Sequence, residues 1–336
     1  MFMQYPTVFD CTEMTAAVNK LPALPVYFRR LFEVKGVKST TVSLDIRKGR
    51  IVLIGDSPRN TAPESLAGRG AKRESMNLSC AHLAMSDTLA PEDLQDVRAF
   101  GSTEPISVAE VYNDKMQQLK DNMTATMEFH RLGAIKGVVL DADGTTVLHD
   151  IFKTFGVTKK TLPILFPKTA ADDANPIQTS ILNAKRHVEA AMGGTPFSHI
   201  ECIIGSDAYD MLTSHVLVRK YFEDWLARKQ DYGNNDYRKR GFTYGGLTFV
   251  ERSDVVGGQT MVAAKKGHVY PVGPGIFKQY HAPADWMETV NTIGLEYYAR
   301  MDKKEKSRGI DIEVQTNPLT LCTYPEALVE LDFKAA

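Results

Sequence analysis

The chain has 336 residues and a mass of 37.3 kDa, with 40 basic and 41 acidic side chains, so its formal net charge is −1. An apolar fraction of 43% predicts a chain that folds around a core and excludes global disorder. The balanced charge argues against a protein whose main task is to neutralise nucleic-acid phosphates, and no apolar run approaches the roughly 20 residues of a membrane helix. The chain starts without the pattern of a secretory signal, and its four cysteines are widely spaced, as is typical of a protein made in a reducing cytoplasm.

The first hundred residues show little helical periodicity. Three prolines within the first 25 positions predict an extended arm that ends in one short helix around residues 26–33. Alternating β-branched residues predict a strand over 41–46, and a second strand is predicted over 50–54. Residues 55–72 keep no period, which is unusual for a loop of this length inside a compact domain.

The same region carries an excess of positive charge. Seven basic and two acidic residues lie within residues 47–73, a local excess of five. Two interpretations stay open: a solvated flexible loop, or an arm steered onto an acidic surface of a neighbouring molecule.

A single long helix is predicted next. Ser107 and Glu110 have the spacing of a capping box, and apolar residues then recur at intervals of three and four as far as Leu132. At 1.5 Å per residue this helix is about 40 Å long, more than twice the length of a typical globular helix.

The rest of the chain alternates between strand and helix patterns without strict βα order. Asp143-Gly144 lies between two strand-like stretches and predicts a hairpin with a tight two-residue turn. A helix is predicted over 176–192, with Asn175 as N-cap, and an amphipathic helix follows near 217–226. Further strands are predicted over 199–204, near 247–251, 260–264, 268–271 and 310–315, and over 318–322 and 327–333, with a loop over 273–290. Helices and strands in separate blocks predict the α+β class.

One string resembles a catalytic motif. Residues 138–145, VVLDADGT, resemble the first motif of haloacid-dehalogenase-type phosphatases, which would make Asp141 the nucleophile and Asp143 the general acid, with Mg²⁺. However, about 140 residues precede it, a strand pattern resumes directly after the glycine, and the partners Lys185 and Asp172-Asp173 come in the wrong order. A hairpin turn accounts for the same residues. The phosphatase is therefore the alternative hypothesis only.

No other motif predicts chemistry. The eight histidines lack metal-ligand spacing, Gly273-Pro274-Gly275 lacks the spacing of a phosphate-binding loop, and the mixed charges over 302–308 are typical of a solvated hairpin tip. We therefore predict no catalytic residue, no cofactor and no metal site.

The order of these features resembles a known family. An arm, a basic loop flanked by strands, one long helix, a hairpin, a central α/β region and closing strands resemble the major capsid (head) proteins of tailed bacteriophages typified by lambda, which have the Hong Kong 97-type fold. The most specific segments are residues 27–32, 42–44, 275–299, 314–321 and 324–329.

The resemblance implies a domain for each segment. Residues 1–40 would be the N-terminal arm, 41–92 the extended E-loop over an adjacent subunit, and 93–160 a peripheral domain with its spine helix and hairpin. Residues 161–299 would be the axial domain, and 300–336 the closing strands of the peripheral domain.

The resemblance also implies a function and partners. The chain would assemble into hexamers and pentamers of an icosahedral head shell in the virion, formed in the cytoplasm of a bacterial host. Separate scaffold and portal proteins, and a decoration protein in some members, would be partners, and the inner face would contact packaged double-stranded DNA without sequence specificity. Energetics agrees, because ordering a non-periodic segment costs about 1–2 kcal/mol per residue, which contacts to neighbouring copies can offset.

Overall fold

The computed structural model describes residues 11–22, 26–47, 73–95, 108–167, 175–228, 237–305 and 308–335. Its α-helices are α1 (Cys11–Lys20), α2 (Val108–Lys136), α3 (Ile151–Thr154), α4 (Pro176–Met192), α5 (Ser206–Ser214), α6 (Val216–Arg228) and α7 (Tyr237–Arg240). Its strands are β1 (Phe32–Gly36), β2 (Thr41–Arg47), β3 (Arg73–Ser79), β4 (Leu83–Leu89), β5 (Val138–Leu140), β6 (Val147–Asp150), β7 (Lys160–Phe166), β8 (His199–Ile204), β9 (Phe242–Tyr244), β10 (Leu247–Glu251), β11 (Val255–Val256), β12 (Gln259–Thr260), β13 (Lys266–Val272), β14 (Phe277–His281), β15 (Tyr298–Lys303), β16 (Ile310–Thr316), β17 (Pro318–Cys322) and β18 (Val329–Ala335). The α+β class is confirmed.

The chain divides into two compact units. The first comprises Met1–Ser43, Asn77–Phe129 and Lys278–Thr320, and the second comprises Leu44–Met76, His130–Phe277 and Leu321–Ala336. These boundaries differ from the domain boundaries that the resemblance implies, and the latter stay a prediction. None of the described helices is both long and apolar enough to span a membrane.

The core of the first unit lies between two helices and an antiparallel sheet. The sheet has the order β15-β16-β4, and α1 packs on β15. The apolar stripe predicted on the long helix is buried here, and the core consists of Met14, Val18, Leu89, Met116, Leu119, Met123, Met127, Tyr297, Ala299, Met301, Ile310, Ile312 and Val314. A second sheet has the order β1-β14-β17.

A mixed six-stranded sheet forms the second unit. Its order is β7-β18-β13-β8-β10-β9, with β7 parallel to β18, β8 parallel to β10, and the other pairs antiparallel. Helix α4 begins as predicted, because the Asn175 side chain accepts a hydrogen bond from the Gln178 N–H at 3.0 Å, and it ends before Gly193, whose φ is 56°. Its stripe of Ile177, Ile181, Ala184, Val188 and Met192 is buried.

The extended conformation predicted for the arm before the short helix is wrong for residues 11–20, which form the helix α1. The short helix predicted around residues 26–33 is confirmed as a 3-10 helix over Phe28–Leu31, and β1 follows it. The prolines lie outside residues 11–20, and Met14 and Val18, one helical turn apart, are both buried against the sheet. The helix therefore forms where its apolar side chains find a core.

The tight turn predicted for the hairpin is also wrong, although β5 and β6 pair as expected. The Asp141 N–H donates to the Thr146 carbonyl at 2.8 Å, so four residues lie between the closing pair. A type I′ turn needs positive φ at both central residues and a type II′ turn needs it at the first, but of Asp143 and Gly144 only the second has a positive φ, at 71°.

Three further differences concern the strands. Strand β14 lies inside the loop predicted over 273–290, and its buried and half-buried residues alternate with the period of two that is typical of a strand. The strand predicted over 260–264 ends at Thr260. The strand predicted over 50–54 and Ser107 of the predicted capping box lie outside the described residues.

Candidate assembly surfaces

A two-stranded ribbon carries the basic segment of the sequence. Strands β2 and β3 pair only with each other among the described strands, and residues 48–72 connect them. The Ser43 hydroxyl donates to Asn77 Oδ1 at 2.6 Å, and the Cys80 N–H donates to the Thr40 carbonyl at 2.8 Å. An isolated two-stranded ribbon is only marginally stable in water, so its unpaired edges suit pairing with another chain.

The residues before the ribbon are fixed to the long helix. The Phe28 N–H donates to the Glu128 carboxylate at 2.6 Å, and the Phe28 ring is buried. Arg29 forms an ion pair with Glu296 at 3.1 Å. The cluster at residues 27–32, one of the segments that carry the family resemblance, therefore anchors the start of β1 within the first unit.

The larger sheets also end in open edges. In the described part of the chain, β4 and β15 are the outer strands of one sheet, and β7 and β9 are the outer strands of another. Strand β7 is seven residues long, and the Leu165 side chain on it is 48% exposed. Unpaired edges of this length are sites for strand addition.

An apolar groove lies within the first unit, between α1 and residues 288–298. Its volume is about 450 Å³, and its lining includes Cys11, Thr15, Ala16, Thr292, Ile293 and Tyr298. The adjacent turn exposes several large apolar side chains: Met287 is 87%, Val290 56%, Ile293 60% and Leu295 47% exposed. Exposed apolar surface of this kind marks a binding surface on a soluble protein.

The turn beside the groove is stabilised by the buried Trp286 side chain and by hydrogen bonds of Thr289. Trp286 is buried, and its ring meets the Tyr298 ring edge-on with centroids 6.2 Å apart. The Thr289 hydroxyl donates to the carbonyls of Ala284 and Trp286, at 2.7 and 2.9 Å. Asn291 has a φ of 60°, the only positive value of a non-glycine residue in the described ranges. The fold therefore fixes a turn whose neighbouring apolar side chains face solvent.

In the second unit, α6 covers the end of the sheet with aromatic side chains. Phe222 contacts Phe242 edge-on at 5.1 Å and stacks on Trp225 at 5.9 Å. On the outer side of the same helix, Val216 is 67% and Tyr221 60% exposed. This helix face is a second exposed apolar surface.

A group of partly exposed charges also lies in the second unit. Lys266 contacts Glu330 at 2.9 Å, and Lys159 pairs with the same carboxylate. Burial would raise the pKa of Glu330, but these lysines outweigh it and the pKa is lowered. Burial lowers the pKa of Lys136 to about 8 and that of His268 to about 3. The ion pair between Lys266 on β13 and Glu330 on β18 connects these two strands.

Asp141 and Asp143, the residues named by the alternative phosphatase hypothesis, lie in a turn of the structure. The Asp143 carboxylate accepts hydrogen bonds from the N–H groups of Thr145 and Thr146, both at 2.8 Å, and from the Thr146 hydroxyl. These hydrogen bonds lower the pKa of Asp143, and the bond from the Thr146 hydroxyl has the largest effect. Asp141 accepts from the Ala142 N–H at 2.8 Å.

The other predicted partners do not complete a catalytic site. Lys185 lies on α4 and is 3.8 Å from Glu189, while Asp172 and Asp173 lie outside the described residues. Within the described ranges, no three His, Cys, Asp or Glu side chains come together as a metal site.

Comparison with known proteins identifies the family. Residues 10–333 match the model of phage major capsid protein E. The chain belongs to this family. It is 25% identical, over 360 aligned positions, to the major capsid protein of Salmonella phage Felix O1, covering 96% of both chains. It is 24% identical to the major capsid protein of Pseudomonas phage KPP10, again covering 96% of both.

Solved structures show the same fold. The putative capsid protein of a prophage of E. coli CFT073 aligns with a TM-score of 0.55 at 11% identity, over 98% of this chain and 100% of that one. The capsid of Ralstonia phage GP4 aligns with a TM-score of 0.51 at 12% identity, over 92% and 91%. The Hong Kong 97-type fold predicted from the sequence is confirmed.

This phage major capsid protein is a structural protein of the virion and not an enzyme. Many copies of it form the icosahedral shell. The prediction of the major capsid function is confirmed, and the phosphatase alternative has no support.

The turn and groove at residues 287–298 were not predicted from the sequence, although residues 275–299 carry part of the family resemblance. Part of this segment was predicted to be a loop. The available signal was four large apolar residues, Met287, Val290, Ile293 and Leu295, in a stretch with no strand or helix period. Such residues in a loop have no core position and predict a binding surface.

Proposed function

We propose that copies of this capsid protein assemble into hexamers and pentamers, and that residues 41–92 form an E-loop that lies over an adjacent subunit. The ribbon of β2 and β3, which carries residues 48–72 and their excess of positive charge, is the observation that carries this proposal. The excess of five positive charges within residues 47–73 is suited to an acidic neighbouring surface, and it supports the second of the two interpretations that the sequence leaves open.

The open sheet edges support the same arrangement. A contact between two different surfaces of identical subunits closes into a ring when its rotation closes, and rings that share edges form a shell. Each strand added across β4, β7, β9 or β15 contributes backbone hydrogen bonds without new side-chain chemistry. Many modest contacts per subunit then stabilise the particle, and a net charge of −1 keeps repulsion between copies small.

The domain assignment and the partners complete the proposal. Residues 1–40 act as the N-terminal arm, 93–160 and 300–336 as the peripheral domain, and 161–299 as the axial domain. Scaffold and portal proteins are separate chains, a decoration protein can bind outside, and packaged double-stranded DNA meets the inner face without sequence specificity. Assembly takes place in the cytoplasm of the bacterial host.

Electron microscopy of the purified protein tests the proposal. Negatively stained samples, with and without a co-expressed scaffold protein, should contain hollow particles, or rings with five and six subunits. A monodisperse 37.3 kDa species at high protein concentration in both samples would contradict it.

A further inference from the structure

One face of the β15-β16-β4 sheet carries four polar side chains, which form what we call the acceptor cluster: His82, Asp285, Glu313 and Gln315. Ile312 of β16 lies in the core, so Glu313 and Gln315, which alternate with it and its apolar neighbours, point to the opposite face of the sheet. The register places Ser86 and Ala84 of β4 beside these two residues, and both are small and exposed. The β4 side of this face is therefore open to another molecule.

Gln315 brings the two carboxylates of the cluster together. Its Nε2 donates to Asp285 Oδ1 at 2.8 Å and to Glu313 Oε1 at 2.6 Å, which uses both amide hydrogens. The Gln315 side chain is buried, and its Oε1 accepts no hydrogen bond from the described residues. Because a buried acceptor without a donor is destabilising, the cluster lacks a donor that the described part of the subunit does not supply.

His82 adds a further acceptor to the cluster. Asn317 Nδ2 donates to the Pro283 carbonyl at 2.9 Å, so the Asn317 Oδ1 atom is the one that meets His82 Nδ1, 2.8 Å away. The Nδ1 atom therefore carries the proton, and in the neutral imidazole Nε2 is an acceptor. This Nε2 lies 4.0 Å from Asp285 Oδ2, so two acceptors face each other across a gap.

The described cations on the same sheet face are paired elsewhere. Arg300 lies opposite Glu313 in the strand register, but its Nε contacts Asp302 Oδ2 at 2.9 Å. Lys304 contacts Asp311 at 3.2 Å. Within the described ranges, neither carboxylate of the cluster has a lysine or arginine nitrogen within 4.0 Å. The cluster thus combines two negative charges with acceptors that have no donor.

We propose that the acceptor cluster binds the cationic side chain, a lysine or an arginine, of a second copy of this capsid protein. An ammonium group has three N–H donors and a guanidinium has five, and either group supplies both the positive charge and the donors that the cluster lacks. The side chains of His82 and Asp285 are 52% and 65% exposed, so the cation enters between them from the solvent side.

The partner is another copy of the chain because many copies form the shell. The sequence has 40 basic and 41 acidic side chains, so an acidic surplus at one place is matched by a basic surplus elsewhere on the same chain. His82 lies in the connection between β3 of the ribbon and β4 at the open sheet edge, next to two surfaces that we propose for assembly. The inference therefore rests on the proposed assembly of copies, whichever segment of the second copy supplies the cation.

Two substitutions of matched shape test the proposal. In the double variant Asp285→Asn, Glu313→Gln the new amide oxygens still accept from Gln315, but both negative charges are gone. The control variant Glu13→Gln, Asp114→Asn removes two exposed carboxylates elsewhere in the first unit. Urea unfolding compares the free subunits of the native chain and both variants. Light scattering compares the rates at which their shells release subunits, with and without EDTA.

We expect shells of the double variant to release subunits about tenfold faster than native shells, because losing one partner of a charge pair mainly raises the dissociation rate. The free double variant should unfold at the same or a higher urea concentration than the native chain, since the two neighbouring carboxylates repel each other in the free subunit. The control variant should match the native chain in both measurements.

Three results would overturn the proposal. Release from the double variant that is no faster than from the control would show that no cation binds there in the shell. Unfolding of its free subunit at a lower urea concentration would show that the carboxylates are stabilised within their own subunit. Native shells that EDTA destabilises as much as the substitutions do would hold a metal ion instead. Native shells are the reference, so a failure of the proposed hexamers and pentamers appears in that reference, whereas a failure of this contact appears only between the variants.

Discussion

Two histidines of the second unit are buried as neutral imidazoles. Burial lowers the pKa of His130 to about 4, and burial together with the nearby Lys136 lowers the pKa of His268 to about 3. In the unfolded chain each imidazole takes up a proton near pH 6.5. The unfolded state therefore binds more protons than the folded state below that pH.

We predict that the unfolding free energy of the second unit falls as the pH is lowered from 6.5 towards 4. Protonation of each of these histidines in the unfolded chain lowers the unfolding free energy by roughly 1.4 kcal/mol per pH unit in this window. Urea unfolding at pH 7, 6 and 5 measures the loss, and His268→Gln should reduce its slope by about half. An unfolding free energy that is flat over this range would contradict the prediction.

Residues 138–145 show which features of a hairpin can be predicted from single residues and which cannot. Asp143 and Gly144 correctly predicted a hairpin, but the turn type depends on the hydrogen bonds that the Asp143 carboxylate accepts from Thr145 and Thr146. A short motif has both a structural and a catalytic interpretation, and only the partners that the fold brings to it decide between them.

At the scale of elements, one lysine holds α1 on the long helix. Lys120 is 2% exposed, and its Nζ donates to the carbonyls of Val18 and Leu21, at 2.9 and 2.7 Å. These carbonyls lie at the C-terminal end of α1, where a positive charge also interacts favourably with the helix dipole. Burial lowers the pKa of Lys120.

We predict that Lys120→Met lowers the unfolding free energy by about 2–3 kcal/mol, because two buried carbonyls lose a charged donor. Lys20→Met, at an exposed position on α1, should change it by less than about 0.5 kcal/mol. Urea unfolding of both variants against the native chain makes the comparison. Equal effects of the two substitutions would show that Lys120 does not hold the helix.

The elements differ in how well the sequence predicted them. Helices α2 and α4 have long apolar stripes and, for α4, a clear N-cap, so their existence followed from spacing alone. Helix α1 has only two buried apolar residues one turn apart, and β14 is five residues long, so both depend on the core that they join. Local patterns this short do not distinguish an ordered element from a loop.

At the scale of the whole molecule, the assembly surfaces depend on other copies. The order of features along the chain predicted the family and the fold, whereas the groove and the open sheet edges became visible only in three dimensions. Sequence periodicity reports which face meets the chain's own core. A surface that does not meet that core leaves no such period, and the exposed apolar side chains within residues 287–298 are the example.

We predict that the positive charge of residues 47–73 promotes assembly. Replacing Arg59, Arg69 and Lys72 with glutamine should slow shell formation at 50 mM salt, because it weakens the electrostatic attraction between subunits. Raising the salt to 300 mM screens this attraction, so the added salt should slow assembly of the variant less than it slows assembly of the native chain. Light scattering measures both effects. The matched control removes the same charge at Lys38, Lys153 and Lys265, which are exposed and lie outside the open sheet edges and α6. An equal effect of the control would contradict a specific role of this segment.

Amide hydrogen exchange, compared between free subunits and assembled shells, tests the central claim most directly. The claim is that residues 48–72 find their partner on another copy of the chain. We expect their amides to gain strong protection on assembly, while β8 and β13, in the middle of the six-stranded sheet, are protected in both states. Equal protection of residues 48–72 in the free subunit and in the shell would contradict the account.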